Sequence, residues 1–241
     1  MFWEKKDLSE QFIMSKVIDL SLVWKFLPQL LPFIPKSLLM LLACVAASLV
    51  VGMMLGIIRI YKVPVLHQMA TLIISFSRGT PILTQLFIFY YGLPEVLKFT
   101  GLDLSRMSGM FFVILTYGLN FGASTAENIR GAISSVGTGQ FEAAYSIGMR
   151  PLVAFRRIIF PQALAVMIPN MSNTYLKALK NTSLAFSVGV VDLMSKGKIL
   201  GQTTMHFFEA YLALAIIYYI LYLICNRLFQ TAERWSLRYM H

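Results

Sequence analysis

Residues 139–161, GQFEAAYSIGMRPLVAFRRIIFP, form an amphipathic island carrying Glu142, Arg150, Arg156 and Arg157 between two apolar stretches. Each flanking stretch is long enough to cross a bilayer, so the island has to sit in water at one membrane face. Within it, Phe141, Ala144, Tyr145 and Gly148 fall at helical i, i+3, i+4 and i+7 spacing, and Glu142 stands in the first turn, where the helix dipole favours an acid. Gly148 can take the left-handed conformation that ends a helix. Pro151 suits the first turn of a second short helix, with Phe155, Ile158 and Ile159 on one face and Arg156 and Arg157 on another. The pattern predicts two stub helices joined by a tight turn, a rigid knob. On spacing alone, a docking surface and an ordinary cytoplasmic loop lying on the headgroups fit equally well.

The rest of the composition agrees with a membrane setting. At 241 residues, 57% hydrophobic and 13% charged, the chain is too apolar for a soluble domain and too short for two membrane domains. The net charge of +10 is what a multispanning protein collects in loops beside anionic lipid, so no nucleic acid is implied. Cys44 and Cys225 lie inside apolar runs without CxxC spacing, and His67, His206 and His241 are isolated. Neither a disulfide framework nor a metal site is indicated. The first 25 residues are too charged for a secretory signal peptide. There is no GxxxxGK[ST] phosphate loop and no catalytic constellation, so the chain is not expected to bind a nucleotide or to be an enzyme.

Taken in order, residues 1–34 form an N-terminal segment in which Ile13, Val17, Leu20, Trp24 and Leu27 make a helical stripe, read as an interfacial helix that Pro28, Pro32 and Pro35 break. Residues 35–241 form the membrane domain. Charge-free runs predict spans at 37–58 and 107–126, and largely apolar stretches predict two more at 161–179 and 207–226. A further apolar region, 66–97, is interrupted by Arg78-Gly79-Thr80-Pro81, and the part beyond Arg78 would reach only about 24 Å, so this second span is read as long and kinked. Residues 181–191 are too short to cross and are read as a re-entrant or surface element. Five spans put the termini on opposite sides. The basic residues divide almost evenly between the two faces, so charge does not fix the orientation.

The clearest site signal is in the fourth span. Asn170, Asn173, Thr174 and Lys177 stand at i, i+3, i+4 and i+7, one polar face on an apolar helix. Amides and an ammonium are costly in hydrocarbon and usually face a bundle interior or a wet cavity. Interhelical hydrogen bonding for the Asn and Thr residues, and snorkelling for Lys177, are the plainer alternatives. Asn120 and Gln85 are weaker candidates of the same kind. Glu127 and Arg130, one turn apart, read as a solvated ion pair of little energetic value.

The series Glu142-Ala143-Ala144, three residues, Gly148, nine residues, Ile158 and then Pro161 resembles the EAA loop of ABC-importer permeases, with Phe160 where that pattern has Leu. Phe76-Ser77-Arg78-Gly79-Thr80-Pro81, Gln85, Tyr91-Gly92-Leu93-Pro94, Ala126-Glu127-Asn128-Ile129-Arg130-Gly131 and Leu179-Lys180-Asn181-Thr182-Ser183-Leu184 extend the likeness from about residue 35 to the end. Together they are similar to the polar amino acid branch, the HisM/HisQ type, with Asn181 where the family pattern has Asp. The resemblance implies an all-α type I ABC importer permease with five transmembrane helices and a cytoplasmic coupling loop. It implies that Glu142, Ala143, Ala144, Gly148 and Pro161 couple the chain to an ATP-binding-cassette ATPase dimer, which carries the ATP and Mg. It further implies a second permease subunit, identical or homologous, an extracytoplasmic amino-acid-binding protein, and a bacterial cytoplasmic membrane with the N-terminus out and the C-terminus in. The expected cargo is a polar amino acid. Cystine is favoured, with glutamine or histidine as alternatives, and Asn170, Asn173, Thr174 and Lys177 are the expected contacts. An ATP-independent carrier or channel is the alternative from another class.

Overall fold

Apolar chain in hydrocarbon must satisfy its backbone internally. The computed structural model describes residues 18–237, and every regular element there is helical. Ile13 and Val17 of the predicted interfacial stripe lie outside the described residues.

Helix α1 (Leu20–Leu30) runs through one 3₁₀ turn (Leu31–Phe33) into α2 (Ile34–Ile60), 41 residues with no break. The predicted stop at the prolines does not occur. Pro32 and Pro35 occupy the opening turns of their segments, where a missing N–H costs little. α1 buries Val23, Phe26 and Leu30 against the bundle, while Leu20 and Trp24 of the predicted stripe stay exposed.

The centre of the bundle is α2 against α5 (Gly109–Ser135). Ala47 meets Gly118, Val51 meets Gly122 and Gly52 meets Thr125, so the two helices run parallel. Small residues four apart, Gly52 and Gly56 on one helix and Gly118, Gly122 and Ala126 on the other, let the backbones approach closely.

Between these two in the sequence comes the second span. Helix α3 (Leu66–Gly79) and helix α4 (Ile82–Lys98) meet at a 116° bend, so the predicted kink is a corner. Its cause is local: Thr80 and Pro81 are both extended, which ends the helix one residue before the proline.

Helix α6 (Thr138–Ser146) and helix α7 (Pro151–Ala154) make the predicted hairpin. Gly148 has φ +77°, and the Gly148 and Met149 N–H groups cap the Tyr145 and Ala144 carbonyls at 2.9 and 3.1 Å. The second stub is not separate, however. A π-helical stretch at Phe155–Ile159 carries α7 straight into α8 (Phe160–Asn181), so Pro151–Val188 is one 38-residue helix. The wider turn lets the helix pass Pro161 without a break.

At the far end, 182–188 continues α8 as a 3₁₀ turn. Thr182, Ala185, Val188 and Val190 are buried, so this predicted surface or re-entrant element is packed inside the protein. Gly189 then turns the chain, and Asp192 caps α9 (Leu193–Thr204), a helix the sequence reading did not anticipate. The closing helix α10 (Phe207–Leu237) packs on α1, α8 and α9.

Candidate functional site

The corner between α3 and α4 is held open by a knot of amides. Gln85, 1% exposed, donates to the Ser77 carbonyl at 2.9 Å, the Thr80 carbonyl at 3.1 Å and Thr80 Oγ1 at 2.7 Å. Asn120 of α5 donates to the same Ser77 carbonyl at 2.8 Å and to Gln85 Oε1 at 3.1 Å. These bonds satisfy carbonyls that the end of α3 would otherwise leave bare.

Beside the knot lies a cavity of about 450 Å³, lined by Ser77, Arg78, Thr80 and Ile82 from the corner, Asn120, Ser124, Glu127 and Asn128 from α5, and Thr174, Lys177 and Asn181 from α8. Its volume falls in the range of small-molecule sites, and most of its wall is polar. Asn128 Nδ2 reaches across to Thr174 Oγ1 at 3.1 Å. Thr174 and Lys177, two of the four residues on the predicted polar face, therefore line this cavity. Asn170 and Asn173 do not line the cavity; both are exposed, and Asn170 donates to the Val166 carbonyl of its own helix at 3.0 Å.

Charge is distributed unevenly around this space. Glu127 is no isolated surface acid: it pairs with Arg59 of α2, with Arg130 at 2.9 Å and, loosely, with Arg78 at 4.0 Å. Its side chain is only 17% exposed, so the predicted solvated pair is in fact a half-buried, four-member cluster. One carboxylate cannot neutralise three guanidiniums. With Lys177 exposed on the opposite wall, the cavity carries net positive charge and suits a carboxylate. Lys180 lies outside the lining, with its ammonium 5.1 Å from the Tyr222 ring centroid.

Ser124, Glu127 and Asn128 were not read from the sequence as cavity residues. With Asn120 they stand at i, i+4, i+7 and i+8, a polar face on α5 that the spacing alone could have revealed.

On the hairpin, Glu142 and Ala143 are exposed, Ala144 is buried, and Pro161 is half-buried in the opening turn of α8. Phe141, Phe155 and Ile158 pack with buried Ile159, Ala163 and Met167, which fixes the hairpin to its neighbours. Ile147 and Leu152, each 77% exposed, leave an apolar tip.

Residues 48–236 match the family described as binding-protein-dependent transport system inner membrane component. The chain is 42% identical to the L-cystine transport system permease protein TcyL of Bacillus subtilis over 221 residues, 92% of each chain. It is 39% identical to the Probable amino-acid ABC transporter permease protein PatM of Vibrio harveyi over 216 residues, 89% of this chain and 95% of that one. A solved structure titled as an amino acid ABC transporter with histidines superposes with a TM-score of 0.80 at 28% identity, covering 90% of this chain and 99% of the other.

Proposed function

The chain belongs to the binding-protein-dependent transport inner membrane components, and from that premise we propose that it is the permease subunit of an ATP-driven amino acid importer whose cargo rests in the cavity between the corner, α5 and α8. Lys177 and Arg78 receive the substrate carboxylate, while Asn120, Asn128, Thr174 and Ser124 supply neutral donors and acceptors. No acid is left free there, since Glu127 is engaged by Arg59 and Arg130. This favours a zwitterion over a cationic amino acid. Cystine is the favoured cargo, in line with the name of the Bacillus subtilis relative.

The observation that carries the reading is mechanical continuity. The hairpin and the cavity share one helix, because Pro151 at the tip and Thr174 and Lys177 in the cavity wall lie on a single unbroken run. A partner ATPase dimer, carrying ATP and Mg, grips Glu142, Ala143, Ala144 and Gly148 on the cytoplasmic face, and Pro161 lies where the push enters α8. Displacing the hairpin then tilts Thr174 and Lys177, so the cavity opens alternately to the two sides. A second permease, an external amino-acid-binding protein and a bacterial cytoplasmic membrane complete the assembly, with the N-terminus outside and the C-terminus inside.

Lys177→Met tests the site. In vesicles holding the assembled transporter, radiolabelled cystine uptake should show KM raised about tenfold to a hundredfold, the size of one lost charged hydrogen bond, with the protein level unchanged. Wild-type uptake by this variant would remove Lys177 from the site. Uptake by the lone polypeptide without ATP would replace the importer with a secondary carrier.

A further inference from the structure

Below the corner, α3 carries a polar stripe of which the proposed site uses only Arg78. His67, Thr71, Ser75 and Arg78 follow one another at i, i+4, i+8 and i+11. Along it lies a second cavity of about 430 Å³, lined by Arg59, Thr71, Ile74, Ser75, Arg78, Gly79 and Glu127. A third, of about 410 Å³, is lined by His67, Gln68, Thr71, Leu72 and Ser75. Neighbours share walls: Arg78 and Glu127 belong to the first and second cavities, Thr71 and Ser75 to the second and third. Because α2 runs parallel to α5, which leads into the hairpin, the start of α3 lies at the hairpin end. The three cavities thus step from the corner toward that end.

The partition between the first two is the contact of Arg78 with Glu127. Arg59 and Arg130 hold this carboxylate firmly, whereas Arg78 approaches only to 4.0 Å. The Arg78 side chain is 55% exposed against 19% for Arg59. Arg78 is therefore the loosely bound arm of the cluster, the guanidinium whose countercharge is missing. A carboxylate arriving on either side of it supplies that charge with a geometry suited to two parallel hydrogen bonds.

We propose that the second cavity is an inner holding site for the carboxylate of an amino acid, and that Arg78 passes this carboxylate from the outer cavity to the inner one. The proposal rests on the permease reading and gives it a second station on the way out. Each space is large enough for an amino-acid-sized ligand. Thr71 and Ser75 offer hydroxyls to the substrate once it has crossed the partition.

The test uses the assembled transporter in proteoliposomes with Cys44 and Cys225 replaced by Ala. In that background Ser75→Cys should react about tenfold faster with an anionic sulfonatoethyl methanethiosulfonate than with its cationic trimethylammonium counterpart, because the local positive potential concentrates anions. Adding Arg78→Gln should abolish the preference. Ser75→Trp, which fills the inner cavity at an exposed position, should cut radiolabelled cystine uptake at least tenfold. Equal labelling by the two reagents, or full uptake by Ser75→Trp in a background that transports, would overturn the inner site and leave the permease reading standing. Absence of ATP-driven uptake of cystine, glutamine and histidine in the Cys-free parent and the wild type alike would overturn both.

Discussion

Helix α5 has two faces half a turn apart, and they are built on opposite terms. On one, Gly118, Gly122 and Thr125 lie so close to α2 that a methyl group at Gly118 would stand 2.9 Å from Ala47 Cβ and one at Gly122 2.7 Å from Val51 Cγ1. On the other, Asn120, Ser124, Glu127 and Asn128 face a cavity of about 450 Å³. The first face has no slack and the second is mostly space. A transporter has to move groups around its cargo without losing its fold, and α5 separates the two demands by rotation about its own axis. The dry seam sets where the helix stands; the wet face then needs only to present donors and acceptors from a fixed backbone.

The contrast breaks most visibly by substitution on the dry face. Gly122→Val should force α2 and α5 apart, at an overpacking cost of about 3 kcal/mol. The expected outcome is little assembled protein in the membrane, read by size-exclusion chromatography of the detergent extract and by thermal unfolding. Asn128→Ala, less than two turns along on the wet face, should leave the unfolding midpoint within a degree or two and reduce uptake per assembled transporter. If Gly122→Val assembled normally, the seam would not be the fixed element that this comparison requires.

The next effect lies at the hairpin. Gly148 has φ +77° with nothing within 4 Å of a Cβ built there, so a side chain meets backbone strain and no steric obstacle. For a β-branched residue that strain is about 1–2 kcal/mol or somewhat more. Gly148→Val should therefore deform the turn between α6 and α7 while the rest of the bundle persists. Assembly should be close to normal, and uptake per ATP hydrolysed should fall severalfold. Unaltered ATP-coupled uptake would show that the hairpin turn transmits nothing.

How far these features were legible depended on whether their cause is local. The hairpin could be read because Gly148 and Pro151 announce their backbone conformations in their own covalent structure. The prolines at 32 and 35 misled, since a proline in an opening turn gives up a bond that turn does not need, and Pro28 sits inside α1 without ending it. The polar stripe on α8 was visible, but which part of it meets a cavity was not: Thr174 and Lys177 do, Asn170 and Asn173 do not, and the deciding factor is where the α3–α4 corner crosses. The break at Arg78–Pro81 has a local cause in Thr80 and Pro81, but hydropathy registers it only as an interruption, and the ties of Gln85 and Asn120 that hold its 116° corner join distant parts of the chain. The glycine spacings of the α2–α5 seam and the polar spacing of α5 were in plain view and went unread, because a run free of charge looks uniform until its small residues are counted. Helix α9 was hidden by its glycines and lysines, although Asp192 marks its start.

That cap supplies the smallest effect, at the far end of the bundle where α9 begins. Asp192 is 1% exposed, and its carboxylate accepts from the Ser195 N–H and hydroxyl, each at 2.9 Å. Its Oδ2 has no hydrogen-bond partner among the described residues. Burial pushes its pKa above the ordinary carboxylate value of 3.8, and the hydrogen bonds from Ser195 offset this only in part. A folded-state pKa above the unfolded one means that the folded protein holds the proton more tightly. This group's contribution is then fully present below pH 3.8 and is lost as the pH rises through the raised value. Acidification from pH 7.5 toward 3.8 should accordingly raise the unfolding midpoint of the wild type relative to Asp192→Asn, which keeps a capping side chain and has nothing to titrate. Asp192→Ala loses the cap as well, so it should be less stable than Asp192→Asn at both pH values by about 1 kcal/mol. An identical pH response in wild type and Asp192→Asn would mean that the carboxylate is better solvated than its burial suggests, and this end of the bundle would have to be counted with the wet face of α5 instead of the dry one.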